Sequence, residues 1–225
     1  MSDRTMSDST TRVLVVGRSA RALTETVAML RARGIAANAT NQFDRVLEDY
    51  DSRDLDLVLF GGQVPPRQRE LLEAELLRRN PGVRFHSGLG GMAPLLTAQV
   101  EQIVGGPVPG VEHDAEAREL HVTLADPAHV TATALWAVPV PPDPVPHAVA
   151  LVDADLPAGR HAVPVPPEVP AHGAFAAVRI DDRTAVVRLG AAPRRAAGGT
   201  VGAPLPAPEP VTTRLPWEAP GSRRS

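Results

Sequence analysis

The chain has 225 residues, room for two small domains, and its 43% hydrophobic and 22% charged content is that of an ordinary globular protein. It contains no cysteine and no lysine, so all 23 basic residues are arginine. That excludes disulfides, thiolate nucleophiles, cysteine metal sites, lysine Schiff bases and a phosphate loop ending in GK[ST]. The formal charge of −3 is balanced up to residue 105, acidic over 106–190 and basic beyond, but nowhere basic enough for a nucleic-acid face.

Residues 1–10 are polar, are expected to be disordered and lack the layout of a signal peptide. Val13-Leu14-Val15-Val16-Gly17 is a continuous apolar run stopped by glycine, the pattern of a strand buried on both faces of a parallel sheet. Ser19 is placed to cap a helix running to about Arg33, with Leu23, Val27 and Leu30 on one face and Gly34 as its stop. Ile35 to Ala39 reads as a second strand and Phe43 to Tyr50 as a second helix. Leu55 to Phe60 reads as a third strand, ended by Gly61-Gly62. Arg67 to Arg79 is a helix opened by Pro65-Pro66 and closed by Asn80-Pro81-Gly82. Val83 to His86 is a fourth strand, followed by a glycine-rich turn and a helix from Ala93 to Val104. This alternation predicts an α/β domain over 11–105 with a parallel sheet of about four strands joined by right-handed crossovers.

A linker is expected over 106–116. From 117 the periodicity changes to two, in segments such as Glu119 to Leu124, His129 to Trp136, Ala148 to Val152 and His161 to Val165. Phe175 to Ile180 and Thr184 to Leu189 flank Asp181-Asp182-Arg183 as a closing hairpin. Residues 117–190 are therefore expected to form an antiparallel β-sandwich, with prolines at 127, 139, 141, 142, 144, 146, 157, 164, 166, 167 and 170 in connections or on edges. Residues 191–225 hold seven prolines and are expected to be a disordered, Pro-rich tail.

The order of elements over Arg12 to Val104 resembles the receiver domain of bacterial response regulators. Arg12-Val13-Leu14-Val15-Val16 matches that family's opening strand, Asp56 to Pro65 its acceptor strand and turn, and Asn80 to Phe85 its fourth-strand entry. The resemblance implies a flavodoxin-like fold and a signalling role, but the departures fall on the chemistry. Gly17 and Arg18 stand where the family holds magnesium with acids, and Gly61 stands at the phospho-acceptor position. The fourth-strand hydroxyl is kept as Ser87, and the fifth-strand lysine cannot exist. Such a pseudo-receiver cannot be phosphorylated in the family's way. The Leu156-Pro157-Ala158-Gly159 turn and the closing hairpin resemble immunoglobulin-like domains, which implies a fold and no activity. The first strand is also similar to the start of short-chain dehydrogenases. However, G-x-G-x-x-G keeps only Gly17, and the Tyr-x-x-x-Lys pair is impossible with Tyr50 as the single tyrosine.

Two functional expectations follow. The first is a non-enzymatic, cytoplasmic regulatory or protein-interaction protein with protein partners, self-association through the sandwich, no cofactor and no metal, and neither nucleic acid nor membrane as partner. The second is a nucleotide- or NAD(P)-binding protein or oxidoreductase using the switch point of the sheet. There Gly17, Arg18, Ser19, Gly61, Gly62, Gln63, Ser87 and Gly88 form the candidate ligand site, since glycines admit close backbone approach and Arg18 adds a cationic fork. These glycines equally serve as plain turns. Trp136 and Trp217 are candidate partner-binding residues, Trp136 also being a candidate for the core. His121, His129 and His161 are expected on exposed strand faces, and Asp153 and Asp155 on one common face.

Overall fold

A computed structural model describes residues 11–138, 140, 144–190 and 207–215. The expected disorder of 1–10, the prolines at 139, 141 and 142, and Trp217 lie outside the described residues. The contacts divide the chain into two compact units, one of residues up to Ser87 together with Glu209 onward, the other Gly88–Pro208.

The first unit is built on a parallel sheet of four strands, β1 (Arg12–Val16), β2 (Ala36–Thr40), β3 (Leu57–Phe60) and β4 (Arg84–Ser87), in the order β2-β1-β3-β4. Val13 to Val16 and Leu57 to Phe60 are at most 1% exposed, so both central strands are covered on both faces, as their unbroken apolar runs predict. Helix α1 (Ala20–Ala32) connects β1 to β2 and turns Leu23, Thr26, Val27 and Leu30 inward. The expected second helix is shorter: a 3-10 turn at Phe43–Arg45, then α2 (Val46–Asp49). Helix α3 (Pro66–Arg79) starts with proline in its first turn, where the missing N–H costs nothing, and carries Arg78 and Arg79 in its last. Leu72 and Leu76 of α3 join Leu14, Val16, Val58 and Phe60 in one apolar cluster, which fixes the helix against one face of the sheet.

The second unit begins with helix α4 (Ala93–Gly105), and here the expected domain limit at 105 moves. The helix belongs with the antiparallel strands: Met92 and Leu95 cluster with Leu135 and Phe175. The expected linker 106–116 also contains a strand, β5 (Val111–Asp114). It pairs with β6 (Glu119–Leu124), and β6 with β9 (Gly159–Pro164), as a three-stranded sheet. A four-stranded sheet has the order β11-β10-β7-β8, from β7 (Ala128–Val138), β8 (Val145–Leu156), β10 (Phe175–Ile180) and β11 (Arg183–Arg188). The two sheets share a core to which Leu120, Val122 and Val163 contribute from one and Val130, Ala132 and Val178 from the other. Pro146 and Pro164 fall on β8 and β9, both edge strands, where a missing donor is tolerated. Ile180 pairs directly with Arg183, so Asp181-Asp182 closes a two-residue hairpin, and Asp181 takes the positive φ of 52° that such turns demand.

The expectation of a disordered tail is corrected for residues 209–215. Thr212 bridges Thr40 in antiparallel sense, extending the parallel sheet past its β2 edge. The segment is ordered by hydrogen bonds and not by apolar burial, which is why its composition did not announce it.

Candidate functional site

The C-terminal ends of β1, β3 and β4 form one rim, because the register aligns Val16 with Phe60 and Phe60 with Ser87. Gly17 follows β1 and is buried; its N–H donates to the Thr40 carbonyl at 3.1 Å. Gly61 follows β3, and its N–H donates to the Val16 carbonyl at 2.7 Å. A Cβ on Gly61 would stand 3.4 Å from the Gly17 Cα, so any side chain there would lie across the β1 turn. The strand pattern of the sequence pairs these glycines, and the structure brings them together at the β1/β3 switch point.

Ser19 is occupied as a helix cap, its hydroxyl accepting from the Ala22 N–H at 3.2 Å. Arg18 is half-buried and Ser87 exposed; Gly62 and Gln63 are exposed in the turn closed by the Val64 N–H to the Gly61 carbonyl. Gly88 belongs to the second unit.

Arg69 carries no distinguishing mark in the sequence. From α3 it donates to Ser87 Oγ at 2.6 Å and to Glu73 Oε1 at 2.7 Å, with its guanidinium 5.2 Å from the centre of the Phe60 ring. Phe60 in turn stacks on Phe85. An arginine at i and a glutamate at i+4 look like an ordinary helix-surface pair, so nothing separated this one from its neighbours.

The missed residues with the greatest structural consequence line the β2 edge. Asn38 and Asn41 are 2% and 7% exposed, and both side-chain amides bind backbone groups of the C-terminal segment. The hydroxyl of Tyr50 points at the Ala39 carbonyl (3.1 Å) and the Thr213 carbonyl (2.7 Å). Burial among these acceptors beside Asp49 pushes the Tyr50 pKa up to about 12. A buried asparagine demands partners, and that was the available signal.

Elsewhere, His129 is exposed as expected. It lies 2.9 Å from Asp155 and 3.1 Å from Asp153, which share a face across the β7–β8 pair. The hydrogen bond that His129 donates to the Asp155 carboxylate comes first in raising the His129 pKa, followed by the charges of both carboxylates. The expectation for His121 is corrected: its side chain is only 15% exposed, held between Glu119 and Arg160. His161 is half-buried, with its ring against the Pro157 carbonyl. His121 and Arg160 also line an open polar hollow of about 340 Å³ with Glu112, His113 and Asp114. Among the described residues no group of three or more His, Cys, Asp or Glu is placed to hold a metal. Trp136 is half-buried, packed on the core and stacked on His147 at 5.4 Å. Among the described residues, no helix is long and apolar enough to cross a membrane.

No protein-family model matches the chain, and comparison with curated proteins finds no match. Among solved structures the chain is similar to an NAD kinase from Archaeoglobus fulgidus in complex with ATP. The identity is 14% over 78% of this chain and 92% of that one, with a TM-score of 0.28, a likeness too slight to bear on activity.

Proposed function

We propose that the protein is a non-catalytic, cytoplasmic regulatory or protein-interaction protein whose α/β unit is a pseudo-receiver. The observation that carries this reading is the Gly17–Gly61 contact at the switch point, with Arg18 following. Aspartyl phosphorylation needs carboxylates to hold a hard cation and a carboxylate to accept the phosphoryl group. Two glycines and an arginine occupy those positions. The antiparallel unit supplies the partner surface, including one for self-association. On this reading, treatment with acetyl phosphate and magnesium leaves the intact mass unchanged. Stoichiometric, base-labile phosphate on the α/β unit overturns it.

A second reading, a nucleotide- or NAD(P)-binding protein, is favoured by one feature of the same rim. Arg69 is held beside Ser87, and the exposed Gly62 that follows β3 leaves open space at the rim, features that suit an anionic ligand. A thermal-shift panel of nucleotides, NAD(P) and flavins tests it. A shift that disappears in Arg69→Ala supports this reading, and no shift with any of them removes it.

A further inference from the structure

The β2 edge is furnished to receive a peptide. Two main-chain bonds are those of an antiparallel ladder: the Asn41 N–H donates to the Val211 carbonyl (3.1 Å), and the Thr213 N–H to the Ala39 carbonyl (2.9 Å). Side chains of the α/β unit add a second set. Asn41 accepts from the Val211 N–H and donates to the Glu209 carbonyl, both at 2.7 Å. Asn38 accepts from the Leu215 N–H and donates to the Leu215 carbonyl, both at 3.2 Å. The two amides thus grip the segment at both ends, and the Tyr50 hydroxyl meets the Thr213 carbonyl between them.

The centre of the groove reads a side chain. The Thr213 hydroxyl accepts from the Ala39 N–H at 2.7 Å and donates to Asn38 Oδ1 at 3.1 Å, while the Thr212 and Thr40 hydroxyls meet at 3.0 Å. Arg214 pairs with Asp49, whose side chain is 3% exposed, so charge is matched as well. The N–H groups of Val211, Thr213 and Leu215 face β2; Pro210 falls in the opposite phase, where its missing donor is not needed. The receiving groups are buried and polar, whereas Glu209, Arg214 and Leu215 stay exposed. An occupant held by such bonds, with little apolar surface buried, can leave without unfolding its receptor.

We propose that the β2 edge is a docking site for an extended linear peptide with threonine at its centre and an arginine after it. The chain's own residues 209–215 occupy it in cis as a releasable resident. This inference does not depend on the reading of the strand-end rim.

The test keeps the full chain and places a protease site within 191–206, cut after folding. The freed C-terminal fragment should co-elute with the body on a sizing column at about 10 µM, a concentration that retains micromolar complexes. Excess synthetic peptide 207–217 should displace it, and the same peptide with Thr213→Val should need at least about tenfold more, the cost of one well-made polar contact. Immediate separation of the fragment, or equal displacement by the Thr213→Val peptide, overturns the proposal. If cutting precipitates the protein, hydrogen exchange on the uncut chain decides. Protection at Val211 and Thr213 should fall at least about tenfold in Asn38→Ala/Asn41→Ala while β1 amides keep theirs. Absent protection in the unaltered chain, or loss spread equally over β1, overturns it. An uncut chain that runs as a dimer and becomes monomeric on cutting places the segment in a second copy and overturns cis occupancy.

Discussion

Raising the pH from 10 to 12 should titrate one side chain of this protein and loosen one place in its fold. Tyr50 is the single tyrosine, and the chain has neither lysine nor cysteine, so no other side chain has an ordinary pKa in that window. In the folded state the pKa of Tyr50 stands at about 12, because the phenolate form would lose water and face the Asp49 carboxylate; Arg214 only partly offsets this. In the unfolded chain it returns to about 10. A folded pKa raised in this way contributes stability that is complete below pH 10 and is lost as the pH climbs to 12. Two decades correspond to about 3 kcal/mol, an upper figure for a side chain that is 7% exposed. Tyrosinate absorbance should give a midpoint near 12 in buffer and near 10 in denaturant. Denaturant melts at pH 8 and pH 11.5 should show the loss directly. Tyr50→Phe should be flat across the same interval and weaker by about 1 kcal/mol at neutral pH, the net worth of the hydroxyl's hydrogen bond. A folded midpoint near 10, or an undiminished alkaline loss in Tyr50→Phe, would refute the reasoning.

Other perturbations have equally definite outcomes. Leu14 is fully buried between β2 and β3, so Leu14→Ala should cost about 2–5 kcal/mol in denaturant melts, and a cost under 1 would contradict the packing. Gly110 has φ +79°, and a Cβ there would meet the Thr123 carbonyl oxygen at 2.7 Å; Gly110→Ala should lower stability by about 1–3 kcal/mol, and a neutral thermal shift would speak against that turn. The raised His129 pKa means that its small contribution is present below about pH 6.5 and fades as the pH rises through the folded value. Asp155→Asn should lower the His129 midpoint followed by NMR, and an unchanged midpoint would deny Asp155 its role.

The α/β unit was legible because strands buried on both faces carry their own signature. Val13 to Val16 and Leu57 to Phe60 had no polar phase to confuse them, and the register then brought Gly17 and Gly61 together as expected. Helix α4 shows where such reading stops. Its periodicity specifies an apolar face but not which sheet receives it, and Leu95 meets Leu135 and Phe175 of strands more than thirty residues later. The docked tail was illegible for a different reason. Judging order from composition weighs apolar area against chain entropy, and by that measure a segment rich in proline should stay loose. Here the order comes from the other partner: Asn38, Thr40, Asn41 and Tyr50 lie in or beside an edge strand, buried, with polar atoms that a parallel sheet alone leaves only partly satisfied. A strand reading Ala-Ala-Asn-Ala-Thr has weak β propensity and a polar residue at its middle, which reads as a poor strand. The same residues are what an edge needs in order to bind a backbone that arrives from 170 residues away. The weakest strand in the sheet is thus its most specific surface, and a buried polar residue on an edge strand marks a place where a missing partner should be sought.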